Sequence, residues 1–252
     1  MGVLDDLLAL LPEEPIPVHQ VRIGAFWTVV WTGRGAGLAS TQRDTQTPHG
    51  QSLIRWAGDL AAHSAQELAG LVRSDSPMEV GLGMAAVNAL LEVEEAALTE
   101  HNAADEIIRR GRGKRVVVVG HFPFLPDVRQ AAAHLDVLEL DPRPGELPAE
   151  AAAEVIPQAD VVAITGTSLL NRTFEGLVRL CRPDAYVLVL GPTTPLSPVL
   201  FDYGVDLIAG TRVVDPIAAL ETAGQGAIFR QMRGVRLVTM VKTGWQKAKE
   251  RR

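Results

Sequence analysis

Apolar residues alternate with polar ones in the first part of the chain and form unbroken runs in the second. The alternation from Val18 to Trp31 predicts one strand with a buried face, and Gly33-Arg34-Gly35 predicts a turn into a returning strand over Ala36 to Thr41. Helical spacing follows over Ala65 to Val72 and again from Pro77 to Leu91. The first part is therefore predicted to be a small α+β unit.

The second part alternates short apolar strands with short helices. Val116 to Val119 is a run of valines that cannot alternate between two faces, so it predicts a strand buried on both sides, as in a parallel sheet covered by helices. The further predicted strands are Val137 to Leu140, Asp160 to Thr165, Tyr186 to Leu190, Val205 to Ala209 and Val235 to Met240. This alternation predicts a doubly wound, mostly parallel, Rossmann-like α/β sheet.

A basic, glycine-rich run separates the two parts. Gly111-Arg112-Gly113-Lys114 follows a helical stretch, Asn102 to Arg110, and predicts a hinge. We therefore predict a small α+β domain over residues 1–112 and a Rossmann-like domain over residues 113–252. In the polar stretch before the helices, Asp44 and His49 are predicted to be solvated loop residues.

Composition mainly excludes some classes of protein. The 252 residues are 47% hydrophobic, enough for one large domain or two modest ones, and a net charge of -6 argues against a nucleic-acid-binding face. The single cysteine, Cys181, excludes an intramolecular disulfide and fits a reducing cytosol. The acidic start of the chain is unlike a signal peptide, and no apolar run approaches ~18 residues. We expect a cytoplasmic protein without nucleic-acid or membrane partners.

Glycine, threonine and other compact residues follow several predicted strands. Because the carboxyl ends of parallel strands meet at one edge, ligands of such folds bind there. Glycines let a ligand approach the backbone, while hydroxyls and free N–H groups favour anionic groups. The candidate ligand-binding residues at these ends are Gly120, Phe122, Pro123, Asp141, Gly166, Thr167, Asn171, Gly191, Pro192, Thr193 and Arg212.

The loop after the valine strand lacks the dinucleotide fingerprint. It contains no G-x-G-x-x-G, and Pro123 and Pro126 remove amide donors that would hold a pyrophosphate. Ordinary NAD binding is thus disfavoured. The acid after the second strand, Glu139 or Asp141, is either an acceptor for ribose hydroxyls or part of a plain turn.

His121 is the candidate catalytic residue. At the mouth of a buried strand it can act as a general acid, a general base or a metal ligand, with Asp141, Asp215 and Asn88 as candidate partners. Asn88 lies on a helix rich in small residues from Gly81 to Ala89, and its amide must be satisfied. It either ties a neighbouring loop or faces a cleft between the domains. The same small residues would also suit a homodimer interface.

Several segments together resemble the family named putative heavy-metal chelation. They are Gly83 to Ala89, Val119 to Pro123, Thr165 to Thr173 and Leu190 to Pro198. The resemblance implies a first domain similar to the N-terminal domain of enolases, a Rossmann-like second domain and a ligand cleft between them. It also implies metal handling. A single cysteine cannot build a soft-metal site of several thiolates, which leaves His121 with carboxylates or a metal carried by a bound ligand.

Several functions fit these residues. The first is a protein that binds a small anionic, nucleotide-like or metal-complexing ligand in the cleft, with a divalent metal or a nucleotide-like molecule as cofactor. The second is an enzyme, a transferase or lyase, with His121 as acid or base on an anionic or nucleotide-like substrate. Metal delivery and a purely structural role are the remaining alternatives. The cleft is expected to be lined by His121, Asn88, Thr167, Asn171 and Thr193.

Overall fold

The structure is a computed structural model that describes residues 2–42, 50 and 52–242. Asp44 and His49 lie outside the described residues. The protein is a mixed α/β protein with a small antiparallel sheet and a larger, mostly parallel one. No helix in the described ranges combines the length and apolar character needed to cross a membrane.

The small sheet is a three-stranded meander. Its strands are β1 (Val18–Ile23), β2 (Trp27–Thr32) and β3 (Ala36–Ser40), paired antiparallel in that order.

The prediction of one strand from Val18 to Trp31 is wrong, because the chain reverses at Gly24. The Gly24 N–H donates to the Trp27 carbonyl at 2.9 Å and closes the turn. A side chain at this position would collide with the Ala223 carbonyl oxygen, so the close approach requires glycine. The alternation of apolar residues continues through the turn, and this hides the break.

Three helices complete the first unit: α1 (Val3–Ala9), α2 (Ala65–Ala69) and α3 (Pro77–Leu90). α3 packs against β2 and β3 and is buried on nearly every side. Its small residues are thus covered by neighbouring elements and leave no exposed face for a second copy. The homodimer stays a prediction without support from this helix.

The large sheet has seven strands in the order β10-β9-β8-β7-β4-β5-β6. They are β4 (Arg115–Val119), β5 (His134–Glu139), β6 (Leu147–Pro148), β7 (Val161–Thr165), β8 (Tyr186–Leu190), β9 (Leu207–Val213) and β10 (Val235–Val241). All pairs are parallel except β9 with β10. Counted from β4, the six parallel strands follow the order 3-2-1-4-5-6 of doubly wound sheets.

The valine strand β4 lies near the middle of the sheet, between β5 and β7. Val116 and Val118 contribute to one apolar cluster and Val117 to another, and each is at most 1% exposed. The prediction of a strand buried on both faces is confirmed. The chain leaves β4 toward β5 on one side and reaches β7 on the other, so the order of strands reverses at this strand's carboxyl end.

Five helices in the described residues flank the large sheet: α4 (Ala103–Gly111), α5 (Leu125–Ala131), α6 (Ala152–Val155), α7 (Phe174–Leu180) and α8 (Val199–Asp202). A further helix, α9 (Pro216–Gly224), follows β9. α4 packs against α5 and β7. α9 packs instead against β1 and β2 of the small sheet, and α1 packs against α8.

A buried carboxylate anchors α4. The side chain of Glu106 is 5% exposed and pairs with Arg109 at 2.5 Å, with Arg110 at 2.7 Å and with His101 at 3.2 Å. Burial alone would raise the pKa of Glu106, but the hydrogen bonds from Arg109, Arg110 and His101 outweigh it and lower the pKa to about 2.

One apolar core runs through both units. A single cluster of contacting buried residues includes Val3, Leu68 and Leu82 of the first unit as well as Ile164 and Ile208 of the large sheet. Polar contacts add to it, since the Tyr203 hydroxyl donates to Asp6 at 2.5 Å and the Val3 N–H donates to Glu175 at 3.0 Å.

Candidate functional site

Most of the predicted site residues line one of three cavities. The interdomain cavity, of about 320 Å³, includes Asn88 and Arg212 in its lining. The switch-point cavity, of about 300 Å³, is lined among others by Gly120, His121, Thr167 and Asn171. The aromatic cavity, of about 310 Å³, is lined among others by Phe122, Gly191 and Pro192. His121 and Asn88 therefore do not face each other across one cleft.

The interdomain cavity is built where α3 and the β2–β3 turn meet β9 and the loop after β8. Asn88 Nδ2 donates to the Leu38 carbonyl at 2.9 Å and to the Thr193 carbonyl at 3.1 Å, so the amide ties the loop after β8 to the small sheet. Since both partners are carbonyls, they fix which end of the amide is the nitrogen. The oxygen consequently points away from both.

Three buried oxygen atoms among the described residues of this lining have no hydrogen-bond partner. They are Asn88 Oδ1, Thr194 Oγ1 and Thr211 Oγ1. Buried polar groups are nearly always paired, so each orphan needs an explanation.

Two arginines stand in the lining of the same cavity. Arg34 pairs with Glu92 at 3.0 Å, and Arg212 pairs with Glu95 at 3.3 Å. About a third of each arginine side chain is exposed, and both glutamates are exposed. Solvent-exposed ion pairs of this kind contribute little to stability.

Thr193 does not line the interdomain cavity and has a structural role instead. Its side chain is buried, and its Oγ1 accepts a hydrogen bond from the Ser40 N–H at 3.0 Å. Together with Asn88 it clamps the loop after β8 onto β3.

The switch-point cavity lies at the carboxyl ends of β4, β5 and β7. Gly120 follows β4 with a φ of +107°, and Thr167 Oγ1 lies 2.9 Å from Thr165 Oγ1. Asn171 Oδ1 accepts from the Thr173 hydroxyl at 2.7 Å. Glu139, the last residue of β5, also contributes to the lining.

Gly166 separates this cavity from the interdomain one. A side chain at Gly166 would collide with Thr194 Oγ1 and with the Thr194 N–H nitrogen. Gly166 follows Thr165 of the switch-point cavity, while Thr194 belongs to the interdomain cavity. The Gly166–Thr194 contact thus lies between the two linings.

Both ring nitrogens of His121 have partners, and neither partner was foreseen. Nδ1 lies 2.7 Å from Glu146 Oε1, and Arg143 donates to Nε2 at 2.8 Å. Because arginine can only donate, Nε2 accepts and the Nδ1–H donates to Glu146, which makes the imidazole neutral. The expected partners are elsewhere, since Asp141 is exposed outside these cavities and Asp215 caps α9.

The Glu146 carboxylate organises this rim. It accepts the Arg143 N–H at 2.9 Å, and this bond together with the one from His121 lowers the pKa of Glu146. One feature of the sequence indicates these partners of His121, namely their position in the chain. Arg143 and Glu146 follow β5, the strand next to β4, so their loop reaches the same edge of the sheet.

Phe122 and Phe124 stack with ring centroids 5.0 Å apart in the aromatic cavity. Gly191 and Pro192 lie beside them, and Pro123 is exposed in the loop between the two rings. The loop after β4 therefore divides its side chains: His121 lines the switch-point cavity and Phe122 the aromatic one.

The described residues do not supply a heavy-metal site. No group of three or more His, Cys, Asp or Glu side chains that could hold a metal ion occurs within residues 2–42, 50 and 52–242. Burial, with a smaller effect of the Asp206 charge, raises the pKa of the Cys181 thiol to about 12, so it stays protonated. This donor set does not fit a soft metal.

Family models match both parts of the chain. One covers residues 4–91 and the other residues 102–242, and both are described as "Putative heavy-metal chelation". The second alone spans more than half of the chain, so the protein belongs to this family.

Relatives extend the match without adding a function. An uncharacterized protein of Methanocaldococcus jannaschii is 26% identical over 195 residues, which cover 74% of this chain and 73% of the relative. A crystal structure of a protein of unknown function from Desulfitobacterium hafniense is 27% identical, with a TM-score of 0.81 over 95% of this chain and 98% of that one. A protein of unknown function from Pyrococcus horikoshii shares the fold at 19% identity, with a TM-score of 0.78 over 95% of this chain and 98% of its own.

Proposed function

We propose that the protein binds a small polar ligand with at least one anionic group in the interdomain cavity. The observation that supports this most directly is the set of three orphan oxygens, Asn88 Oδ1, Thr194 Oγ1 and Thr211 Oγ1, from residues that line this one cavity. Leaving a buried polar group without a partner costs about 1–3 kcal/mol. A bound ligand would remove that cost wherever one of its polar groups reaches such an oxygen.

The chemistry of the lining restricts the ligand. Asn88 Oδ1 only accepts, so it requires a hydroxyl or amine of the ligand, while the threonine hydroxyls can donate or accept. Arg34 and Arg212 favour a carboxylate or phosphate, and each could exchange its exposed glutamate partner for the ligand. Hydroxy acids, amino acids and phosphate esters of hydroxylated molecules combine both features.

Metal handling, in this proposal, takes place through the ligand. The described side chains offer no metal cluster, whereas organic chelators consist largely of the carboxylate and hydroxyl groups that this lining would recognise. The metal would thus enter as part of an anionic complex.

A calorimetric and thermal-shift screen tests the proposal. The probes are hydroxy di- and tricarboxylates, amino acids and phosphate esters, each with and without a divalent metal. We expect at least one probe to raise the melting temperature. Thr211→Val and Arg212→Gln should each weaken that probe by about tenfold or more, since a charge-assisted or buried hydrogen bond is lost.

Arg230→Gln is the matched control, because Arg230 is exposed and outside this cavity. A screen in which no probe stabilises the protein would contradict the proposal, as would equal binding by the Arg212 and Arg230 variants. Submicromolar retention of Zn²⁺ or Cu²⁺ by chelator-free, untagged protein would contradict entry of the metal as a complex.

The alternative function is acid–base catalysis by His121, and the Glu146 contact favours it. A carboxylate on Nδ1 orients an imidazole for proton transfer at Nε2. Arg143 now occupies Nε2, so it would have to move before a substrate proton could be exchanged. His121→Ala separates the functions: a ligand of the interdomain cavity should bind unchanged, whereas an enzyme should bind substrate and fail to turn it over.

A further inference from the structure

The switch-point cavity contains a carboxylate that has no partner among the described residues. Glu139 is half-buried at the carboxyl end of β5 and lines the cavity. Within the described part of the chain, no hydrogen bond or ion pair involves its side chain. An ionised carboxylate only accepts, and two adjacent hydroxyl groups are well suited to its two oxygens. At the end of the second strand of a doubly wound sheet, an acid in this position binds the ribose diol of a nucleotide.

The remaining lining has a polar part, formed by residues such as Thr167 and Asn171, and an apolar part that contains three leucines. Leu138, Leu140 and Leu177 contribute to it, and Leu140 is 72% exposed at the rim. A flat apolar ring placed against Leu140 would bury surface that the protein alone leaves in water.

His121 gives the rim a fixed aromatic face. Since Glu146 and Arg143 occupy both ring nitrogens, the imidazole has no nitrogen free for a ligand in this arrangement. What it can offer is the face of the ring, and a nucleobase can stack on such a face.

The same edge does not suit a pyrophosphate. Pro123 and Pro126 lack N–H groups, and α5 follows without the glycine loop that holds a dinucleotide. A cavity of about 300 Å³ is also at the lower end of the usual range for ligand sites. Both features favour one nucleoside over a dinucleotide.

We propose that the switch-point cavity binds a ribonucleoside, with the ribose diol on the Glu139 carboxylate and the base against Leu138, Leu140 and His121. This site is independent of the ligand proposed for the interdomain cavity. The two occupants would lie on opposite sides of the Gly166–Thr194 contact.

Isothermal titration of the full chain with adenosine, guanosine, cytidine and uridine tests the proposal, and the corresponding 2′-deoxynucleosides are the comparison. We expect at least one ribonucleoside to bind and its 2′-deoxy form to bind about tenfold more weakly or worse. Glu139→Gln should cause a loss of similar size. It should leave the melting temperature of the ligand-free protein unchanged, because no described group pairs with this carboxylate.

Glu150→Gln is the matched control, since Glu150 is a nearby exposed acid outside the cavity lining. Thr211→Val should leave nucleoside binding intact, so failure at one site is distinguishable from failure at the other. The proposal is overturned if no ribonucleoside binds, or if 2′-deoxynucleosides and the Glu139 variant bind as well as their parents.

Discussion

Two adjacent threonines give the sharpest test of the orphan oxygens. Thr193 and Thr194 are 2% and 1% exposed, so burial does not distinguish them. The Thr193 hydroxyl accepts from the Ser40 N–H at 3.0 Å, whereas the Thr194 hydroxyl has no partner among the described residues. Valine replaces either hydroxyl with a methyl group of similar size, so the same chemical change should have opposite effects.

The expected changes in the free energy of unfolding follow from the polar groups that each substitution removes or leaves unpaired. Thr193→Val leaves the Ser40 N–H unsatisfied and should lower the free energy of unfolding by about 1–3 kcal/mol. Thr194→Val removes a group that is buried without compensation, so the ligand-free variant should be as stable as the wild type or more stable by about 1 kcal/mol. The free energies of unfolding of the two variants should therefore differ by about 1–4 kcal/mol.

Urea denaturation followed by circular dichroism measures this difference, provided that the m-value is unchanged. If Thr194→Val destabilises the ligand-free protein as much as Thr193→Val does, the Thr194 hydroxyl already has a partner. The reasoning from orphan oxygens to a ligand would then be refuted at this position.

Two further predictions concern the amide of Asn88 and the carboxylate of Glu106. Asn88→Asp should lower the free energy of unfolding by about 2 kcal/mol or more at pH 7, because both hydrogen bonds that the amide donates are lost. Asn102→Asp should leave the free energy of unfolding unchanged, because the Asn102 amide only accepts a hydrogen bond, from the Ala104 N–H. Denaturant titrations of the two variants measure the contrast, and equal effects would contradict it. Glu106→Gln should cost about 2–4 kcal/mol at pH 7. The pKa of Glu106 in the folded protein is lowered from 4.5 to about 2, so the stability difference between the wild type and Glu106→Gln should narrow as pH falls through that interval. A stability difference that stays constant with pH would show that the carboxylate charge is not what stabilises α4.

The fold was predictable where the apolar pattern is compatible with only one type of element. The valine run of β4 can only be buried on both faces, and it defines the middle of the large sheet. The strand from Val18 to Trp31 was not predictable as two, because the apolar alternation continues through the turn at Gly24. The Ala223 backbone, whose close approach requires glycine at this position, lies far along the chain. The two-residue strand β6 is too short to leave a pattern. The division into domains at residue 112 stays a prediction.

The location of the candidate site was predictable from the sequence, whereas the contacts between its side chains were less so. Strand-end logic brought Gly120, His121, Thr167 and Asn171 to one cavity, as parallel strands require. It could not separate His121 from Asn88, because each side chain's direction depends on loops whose paths the sequence leaves open. Arg143 and Glu146 were missed for the same reason, since only the folded loop after β5 places them on the imidazole.

The continuous core has a consequence for how the protein is made. Residues of the first unit emerge from the ribosome early, yet Leu68 and Leu82 belong to a cluster completed by Ile164 and Ile208. At about 5–20 residues per second, roughly 6–25 seconds of synthesis separate Leu82 from Ile208. Until then the first unit lacks the surface that covers it. Synthesis of this chain therefore includes an interval in which a nascent apolar face needs protection, and neither half is suited to production alone.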